Sequence, residues 1–184
     1  MTDLKPLLPR APVPRLEIRL APDGTPFRLA DERPQHFTLV VVYRGLHCPI
    51  CKTQLRDLES KLDAFAQKGV GVVALSTDDE ERVNRTKAEW GLPRLRLGHG
   101  FGLAAAREWG LFLSTGRGKT SHGVEEPPLF AEPGLFLVRA DGTLYFSSVQ
   151  TMPFARPSFA DILQAIDIVV ARDYPARGEV ATLG

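Results

Sequence analysis

The chain has 184 residues, of which 43% are hydrophobic, and its 23 Lys and Arg nearly balance 22 Asp and Glu. This length and composition favour one globular domain, and they exclude a collagen, a coiled coil, a disordered tail and a membrane protein. The balanced charge supplies no electrostatic reason to bind nucleic acid or a membrane surface, and two cysteines are too few for a secreted disulfide scaffold. Because no apolar run suits a signal peptide, we expect a cytoplasmic protein. We expect neither nucleic acid nor a membrane as a partner.

The N-terminal part of the chain predicts an extended segment followed by a β-hairpin. Residues 1–14 contain four prolines, which favour a polyproline-like lead-in outside the domain. Residues 16–20 alternate apolar and charged side chains, which is the period of a half-buried strand. Asp23-Gly24 favours a hairpin turn, and residues 27–29 are the expected return strand.

Strands and helices alternate in the middle of the chain. Residues 37–43 are nearly all apolar, as expected for a central strand covered on both faces. Pro49 begins a helix that ends at Gly69, because proline is tolerated at a first helical position. The apolar stripe of this helix consists of Leu55, Leu58, Leu62 and Phe65. The later predicted elements are a strand at 70–76, a helix from Asp78 or Asp79, a strand at 95–97, a helix at 103–109, strands at 135–138 and 144–149, and a helix at 159–170.

This order of elements predicts an α/β domain with a central mixed β-sheet, helices on both faces and an N-terminal β-hairpin. The single domain is expected over residues 15–173, with a loose tail at 174–184. Residues 114–133 are expected to form a long loop, of the length that is typical of functional or disordered segments.

Two cysteines lie where the first central strand gives way to its helix. Cys48 and Cys51 form a C-x-x-C pair at the carboxyl end of that strand, where ligand sites of open sheets tend to lie. A helix N-terminus stabilises a thiolate, and Arg44 and His47 are close enough in sequence to add positive potential. We expect Cys48 to be the more accessible nucleophile and Cys51 the resolving thiol. A peroxide would then oxidise Cys48 to a sulfenic acid, Cys51 would form a disulfide with it, and an external dithiol would reduce both.

The sequence leaves two other interpretations of this pair open. Cys51 as a small buried apolar residue and Cys48 as an incidental surface thiol would have no chemistry at all. A zinc site requires four ligands, and the chain has no second pair with the spacing of a zinc finger. We therefore expect no metal and no bound cofactor.

Three segments of the sequence are similar to a known family. They are VVVYRGLHCPICKTQL at 40–55, GVGVVALS at 69–76 and PGLFLVRADGTL at 133–144. They resemble the alkyl hydroperoxide reductase/thiol-specific antioxidant (AhpC/TSA) family, whose peroxiredoxin-like members have a thioredoxin fold. The resemblance covers about residues 15–170 and implies thiol-dependent reduction of hydroperoxides or disulfides, with an antioxidant role.

The resemblance also implies site residues and partners. Cys48 matches the reactive cysteine of the family, and Pro133 matches the position of a cis-proline beside the reactive sulfur in thioredoxin-fold proteins. A thioredoxin- or glutaredoxin-like reductant and a homodimer are implied as well. A thioredoxin-like disulfide reductase and a redox-sensing module that acts through residues 114–133 remain alternatives.

The sequence departs from the family near the thiol, where two groups that would hold the peroxide are missing and Val41 replaces the proline seven residues before Cys48. Gly45 stands where peroxiredoxins have the Thr or Ser that hydrogen-bonds the peroxide, and Pro133 stands where they have an arginine. Charge that develops on the leaving oxygen needs positioned donors. Arg44 and Arg156 are the candidates to replace the missing groups.

Overall fold

A computed structural model of the protein describes residues 4–182. Residues 1–3 of the predicted lead-in and residues 183–184 of the predicted tail lie outside that range. The first half of the chain contains β1 (Glu17–Leu20), β2 (Thr25–Arg28), a 3-10 turn (Leu29–Asp31), β3 (Phe37–Val42), α1 (Pro49–Gln67), β4 (Val70–Leu75) and α2 (Glu80–Glu89). The second half contains β5 (Leu97–His99), α3 (Leu103–Glu108), β6 (Leu113–Thr115), β7 (Leu129–Ala131), β8 (Gly134–Arg139), β9 (Leu144–Val149) and α4 (Phe159–Arg172).

Seven strands form one mixed sheet in the order β2-β1-β5-β4-β3-β8-β9. Strand β3 pairs in parallel with β4 and antiparallel with β8, and all six of its residues are buried. Burial on both faces explains why β3 is apolar throughout instead of alternating. The expected mixed sheet and N-terminal hairpin are confirmed.

Helices cover both faces of this sheet. Successive side chains of a strand point to opposite faces, so that the apolar strands present side chains to both layers of helices. Leu39 and Val41 of β3 belong to a core that includes Leu55 of α1 and Phe159 and Ile162 of α4. The second core lies on the other face of the sheet. It includes Val40 and Val42 of β3, Ala106 of α3, and Trp109, which follows α3 directly. The cysteine pair lies at the carboxyl end of an inner strand of the sheet, within the first core.

Residues 114–133 are more ordered than the sequence predicts. Strands β6 and β7 pair as an antiparallel hairpin, with Ser114 opposite Phe130, and residues 116–128 connect them. Each strand has only three residues, too few for a recognisable alternation of apolar and polar side chains. The prediction of one long loop is therefore wrong at both ends of the segment.

The described parts of the lead-in and of the tail are docked on the domain. Arg10 donates its backbone N–H to the carbonyl of Leu144 at 2.7 Å and its Nε to the carbonyl of Ala176 at 2.9 Å. Ala176 is buried in the core on the α1 side of the sheet. The tail is therefore not loose up to this residue. Within residues 4–182, no helix is long and apolar enough to cross a membrane.

Candidate active site

The sulfur of Cys48 caps the N-terminus of α1. Cys48 has extended backbone angles, Pro49 follows as the first helical residue, and the N–H of Cys51 donates to Cys48 Sγ at 3.3 Å. A side-chain acceptor at this position satisfies one of the backbone donors that a helix leaves unpaired at its start. The thiol of Cys51 also donates to Cys48 Sγ, with 2.7 Å between the two sulfurs. Both cysteines are free, so the structure presents the reduced pair.

Both sulfurs are enclosed, which corrects the expectation that Cys48 is the accessible one. Cys48 is 1% exposed and Cys51 is 0% exposed. Arg156 covers the pair. It comes from the stretch between β9 and α4, which lies far from the cysteines in sequence.

Arg156 reaches both sulfurs with an unshared charge. Its Nη2 lies 3.3 Å from Cys51 Sγ and 3.9 Å from Cys48 Sγ. Its Nε donates to the carbonyl of Pro153 at 2.9 Å, and its Nη1 donates to Oε1 of Gln54. Across residues 4–182, no carboxylate forms an ion pair with this guanidinium. Its positive charge is therefore available to the sulfurs.

These contacts separate the two thiols electrostatically. The hydrogen bond from the Cys51 thiol, then that from its backbone N–H and the charges of Arg156 and Arg44, lower the pKa of Cys48 to about 6 against the opposing effect of burial. Burial, together with the hydrogen bond to Cys48 and the negative charge there, raises the pKa of Cys51 well above the usual value. Cys48 is therefore the more acidic thiol of the pair and Cys51 the less acidic one.

The side chain of Arg44 is neutralised by two acidic residues. Its Nε lies 3.2 Å from Oε2 of Glu132 and its Nη2 lies 3.7 Å from Oε1 of Glu126, while the guanidinium stacks 4.7 Å from the centre of the Phe130 ring. Its backbone N–H points at Cys51 Sγ, 3.4 Å away. Of the two arginines predicted to assist the thiols, Arg156 thus contributes an unshared charge and Arg44 mainly a backbone donor.

His47 is buried and neutral, so the expectation that it adds positive potential is wrong. It is 1% exposed and packs on Phe130 of β7, with 4.7 Å between the ring centres. Burial, and then the charge of Arg44, lowers the pKa of His47 to about 4. Its Nε2 lies 3.9 Å from Oε1 of Glu126, too far for a hydrogen bond.

Pro133 does not have the geometry that the resemblance implies. Within residues 4–182 the one cis peptide bond lies between Ala21 and Pro22, so the Glu132–Pro133 bond is trans. Pro133 does precede β8 directly, and its carbonyl accepts a hydrogen bond from the N–H of Gln150 at 3.0 Å.

A buried carboxylate explains why position 45 is a glycine. Asp78 Oδ2 accepts the N–H of Leu46 at 2.7 Å, and Asp78 Oδ1 accepts Nε of Arg82 at 2.8 Å. Gly45 has a φ of +135°, and a Cβ built on it would lie 2.7 Å from Asp78 Oδ2. The threonine or serine that peroxiredoxins have here has no room in this structure. Asp79, the neighbouring candidate for the start of the helix, accepts the N–H of Arg82 as its N-cap.

Sequence reasoning missed five residues of this site, which are Gln54, Asp78, Glu126, Phe130 and Glu132. Gln54 had a signal, since it follows Cys51 by three residues and so lies on the same helix face. Asp78 had another, because it follows β4 at the sheet edge where β3 delivers Cys48. Glu126 and Phe130 come from the β6–β7 hairpin and Glu132 follows it directly, and nothing local in the sequence relates this segment to the cysteines.

A surface groove lies beside Arg156 and the first turns of α1. Its volume is about 350 Å³, and its wall includes Ile50, Gln54, Phe154 and Arg156. Phe154 is 77% exposed at its rim. No group of three or more His, Cys, Asp or Glu side chains with the geometry of a metal site occurs within residues 4–182.

Comparisons with known proteins agree with this architecture. The model of the AhpC/TSA family matches residues 9–147, a range that contains both cysteines but not Arg156. No curated protein matches the chain significantly. Many solved structures are similar, and three of them are described in the next paragraph.

Peroxidoxin BcpB from Mycobacterium tuberculosis has 18% identity and a TM-score of 0.68, with 89% of this chain and 98% of that chain covered. The reduced 2-Cys peroxiredoxin from Plasmodium vivax has 16% identity and a TM-score of 0.73, with 91% and 84% covered. AhpC from Mycobacterium tuberculosis has 14% identity and a TM-score of 0.72, with 94% and 98% covered. At these identities the likeness concerns the fold, and it confirms the predicted thioredoxin-like fold.

Proposed function

The chain belongs to the AhpC/TSA family of thiol-dependent peroxidases, and on that premise we propose that Cys48 reduces hydroperoxides and that Cys51 resolves the oxidised product. The observation that carries this proposal is the environment of Cys48 Sγ, which accepts hydrogen bonds from the N–H and the thiol of Cys51 beside the unshared charge of Arg156. Such surroundings favour a thiolate at neutral pH, and the thiolate is the nucleophile that attacks a peroxide.

The first step is a displacement at oxygen. The thiolate of Cys48 attacks one oxygen of the hydroperoxide, so that an S–O bond forms while the O–O bond breaks. The leaving oxygen carries negative charge and takes a proton to become an alcohol or water, and Cys48 becomes a sulfenic acid. The guanidinium of Arg156, whose Nη2 lies 3.9 Å from Cys48 Sγ, is the cation in position to stabilise that charge.

The second step forms the disulfide. The sulfur of Cys51, which already contacts Cys48 Sγ at 2.7 Å, attacks the sulfenic sulfur. An S–S bond forms and the S–O bond breaks, and the departing hydroxyl leaves as water with the proton of the Cys51 thiol. An external dithiol then returns two electrons and two protons, which regenerates both thiols. The cycle uses no prosthetic group.

Burial of the pair supports a peroxide over a protein disulfide as the oxidant. A hydroperoxide needs only its two small oxygens at the sulfur, whereas a protein disulfide would have to bring its flanking backbone against the cover formed by Arg156. Cys48 is 1% exposed, so the reduced protein leaves no room for that approach. This separates the proposal from the disulfide reductase that the sequence leaves open.

The remaining partners follow from the same chemistry. A thioredoxin- or glutaredoxin-like dithiol protein is the proposed reductant, because each turnover leaves a disulfide, and its approach to that disulfide requires Arg156 to move away in the oxidised protein. We place the cycle in the cytoplasm, where reduced dithiol proteins are maintained. A homodimer is the proposed assembly, on the family's precedent alone.

Rapid mixing of the reduced protein with hydrogen peroxide tests the proposal. The second-order rate should far exceed that of a small thiol corrected for its thiolate fraction, and Cys48→Ser should abolish it. Cys51→Ser is the matched control, since it should keep the first step and stop at the sulfenic acid. A rate no better than a free thiolate, together with turnover of insulin disulfides, would establish the disulfide reductase instead.

A further inference from the structure

We propose that Gln54 is a positioning residue that holds the Arg156 guanidinium against the two sulfurs while leaving its charge unshared. The inference deepens the proposed function, because it rests on Cys48 as the reactive thiolate. It concerns how that thiolate is maintained, however, and is therefore measurable on the thiol itself.

The guanidinium of Arg156 is fixed at every nitrogen. Nε donates to the carbonyl of Pro153, Nη1 donates to Oε1 of Gln54, and Nη2 faces the sulfurs of Cys51 and Cys48. Since the guanidinium is planar, two anchored nitrogens determine where the third points. Gln54 supplies the one anchor that comes from the same helix as the sulfurs.

Helical geometry ties that anchor to the thiols. Gln54 follows Cys51 by three residues on α1, so the two side chains lie on adjacent turns of one face. Arg156 belongs to a different part of the chain, more than a hundred residues away in sequence. The amide of Gln54 therefore fastens the covering segment to the helix that carries the cysteine pair.

The neutrality of Gln54 matters as much as its hydrogen bond. A glutamate is the commoner partner of an arginine and would bind the same Nη1, but it would also cancel the charge that the sulfurs use. Arg44 shows that outcome within the same site, because its guanidinium is shared between Glu126 and Glu132. A neutral acceptor positions Arg156 without competing with the thiolate for it.

The experiment is a pH titration of the thiolate absorbance of the full-length reduced protein in Gln54→Glu and Gln54→Met variants. Gln54→Glu keeps the length and the hydrogen bond but adds a negative charge, and it should raise the pKa of Cys48 by about 1–2 units. Gln54→Met removes the anchor without adding charge, and it should raise that pKa by less.

A matched control is Gln67→Glu, which makes the same substitution at an exposed position at the far end of α1. The control should leave the pKa of Cys48 unchanged, since 13 residues of helix separate it from position 54 by about 20 Å. Gln54 is half-buried, and the urea midpoints of all three variants should confirm that they fold.

The rate of peroxide reduction is a second measurement of the change in the pKa of Cys48. If the pKa of Cys48 moves up by about one unit from about 6, the thiolate fraction at pH 6 falls about fivefold. The rate in Gln54→Glu should therefore fall at least that much at pH 6 and much less at pH 8.5. A merely structural role of Gln54 would lower the rate equally at both pH values.

An unchanged Cys48 pKa in Gln54→Met, or an equal rise in Gln67→Glu, would overturn the proposal. Failure of the peroxidase proposal would give a different result. The wild-type protein would then react slowly with peroxide, while the pKa of Cys48 would still rise in Gln54→Glu and, by less, in Gln54→Met. The two outcomes are therefore read from separate measurements.

Discussion

Replacement of Gly45 by alanine should destabilise the protein far more than an ordinary glycine replacement at positive φ. Gly45 has a φ of +135°, and its added Cβ would lie 2.7, 2.9 and 3.0 Å from three atoms of the Asp78 carboxylate. Asp78 is 4% exposed and bonds both the N–H of Leu46 and the side chain of Arg82. It cannot move away without breaking these bonds.

The expected loss has two parts. A residue with a Cβ in this backbone region costs about 1–3 kcal/mol. Displacing Asp78 loses the hydrogen bond from Leu46 N–H to a charged acceptor, which costs about 1.5–3 kcal/mol more. The sum of about 2.5–6 kcal/mol is a large part of the roughly 5–15 kcal/mol that is typical of a whole domain.

Urea unfolding measures this loss, with Gly91→Ala as the matched control. Gly91 has a φ of +67°, but nothing lies within 4 Å of the position that a Cβ would take there, so its replacement should cost only the backbone strain, about 1–2 kcal/mol. Asp78→Ala should remove the clash, so that adding Gly45→Ala to it costs less than Gly45→Ala alone. Equal losses in Gly45→Ala and Gly91→Ala would show that the contact with Asp78 is not the cause.

Three further predictions concern the charges around the pair. Cys51→Ala should raise the pKa of Cys48 by removing its largest stabilising hydrogen bond, and an unchanged thiolate titration would contradict this. In rapid-mixing measurements, Arg156→Ala should lower the rate of peroxide reduction at pH 6 by about tenfold, and Arg44→Ala should lower it by less. The reverse order would show that the charge of Arg44, which Glu126 and Glu132 share, dominates. His47 has a folded pKa of about 4 against 6.5 unfolded, so the unfolded state binds its proton more tightly and stability falls between pH 6.5 and pH 4, by about 3 kcal/mol. His47→Leu should abolish that part of the loss in urea unfolding, and an identical pH dependence would count against it.

The order of elements could be predicted because it depends on local patterns. An uninterrupted apolar run at 37–43 and a stripe that repeats at helical spacing from Cys51 each report burial directly, and the structure confirms β3 and α1 there. The hairpin of β6 and β7 could not be predicted, since strands of three residues carry too little periodicity. Its position over His47 depends on long-range packing.

Local sequence was enough to predict that the two cysteines lie together. A proline after Cys48 at a strand-to-helix junction places its sulfur at a helix N-terminus, and a spacing of three brings Cys51 within one turn, because both facts depend only on helix geometry. The surroundings of the pair, in contrast, depend on tertiary packing. Arg156 reaches Cys48 across 108 positions of the chain, and Asp78 reaches Leu46 across 32. Charge, burial and room for a side chain depend on which distant segments meet, and therefore the thiolate's partners, the neutral His47 and the need for Gly45 emerge only when the chain is folded.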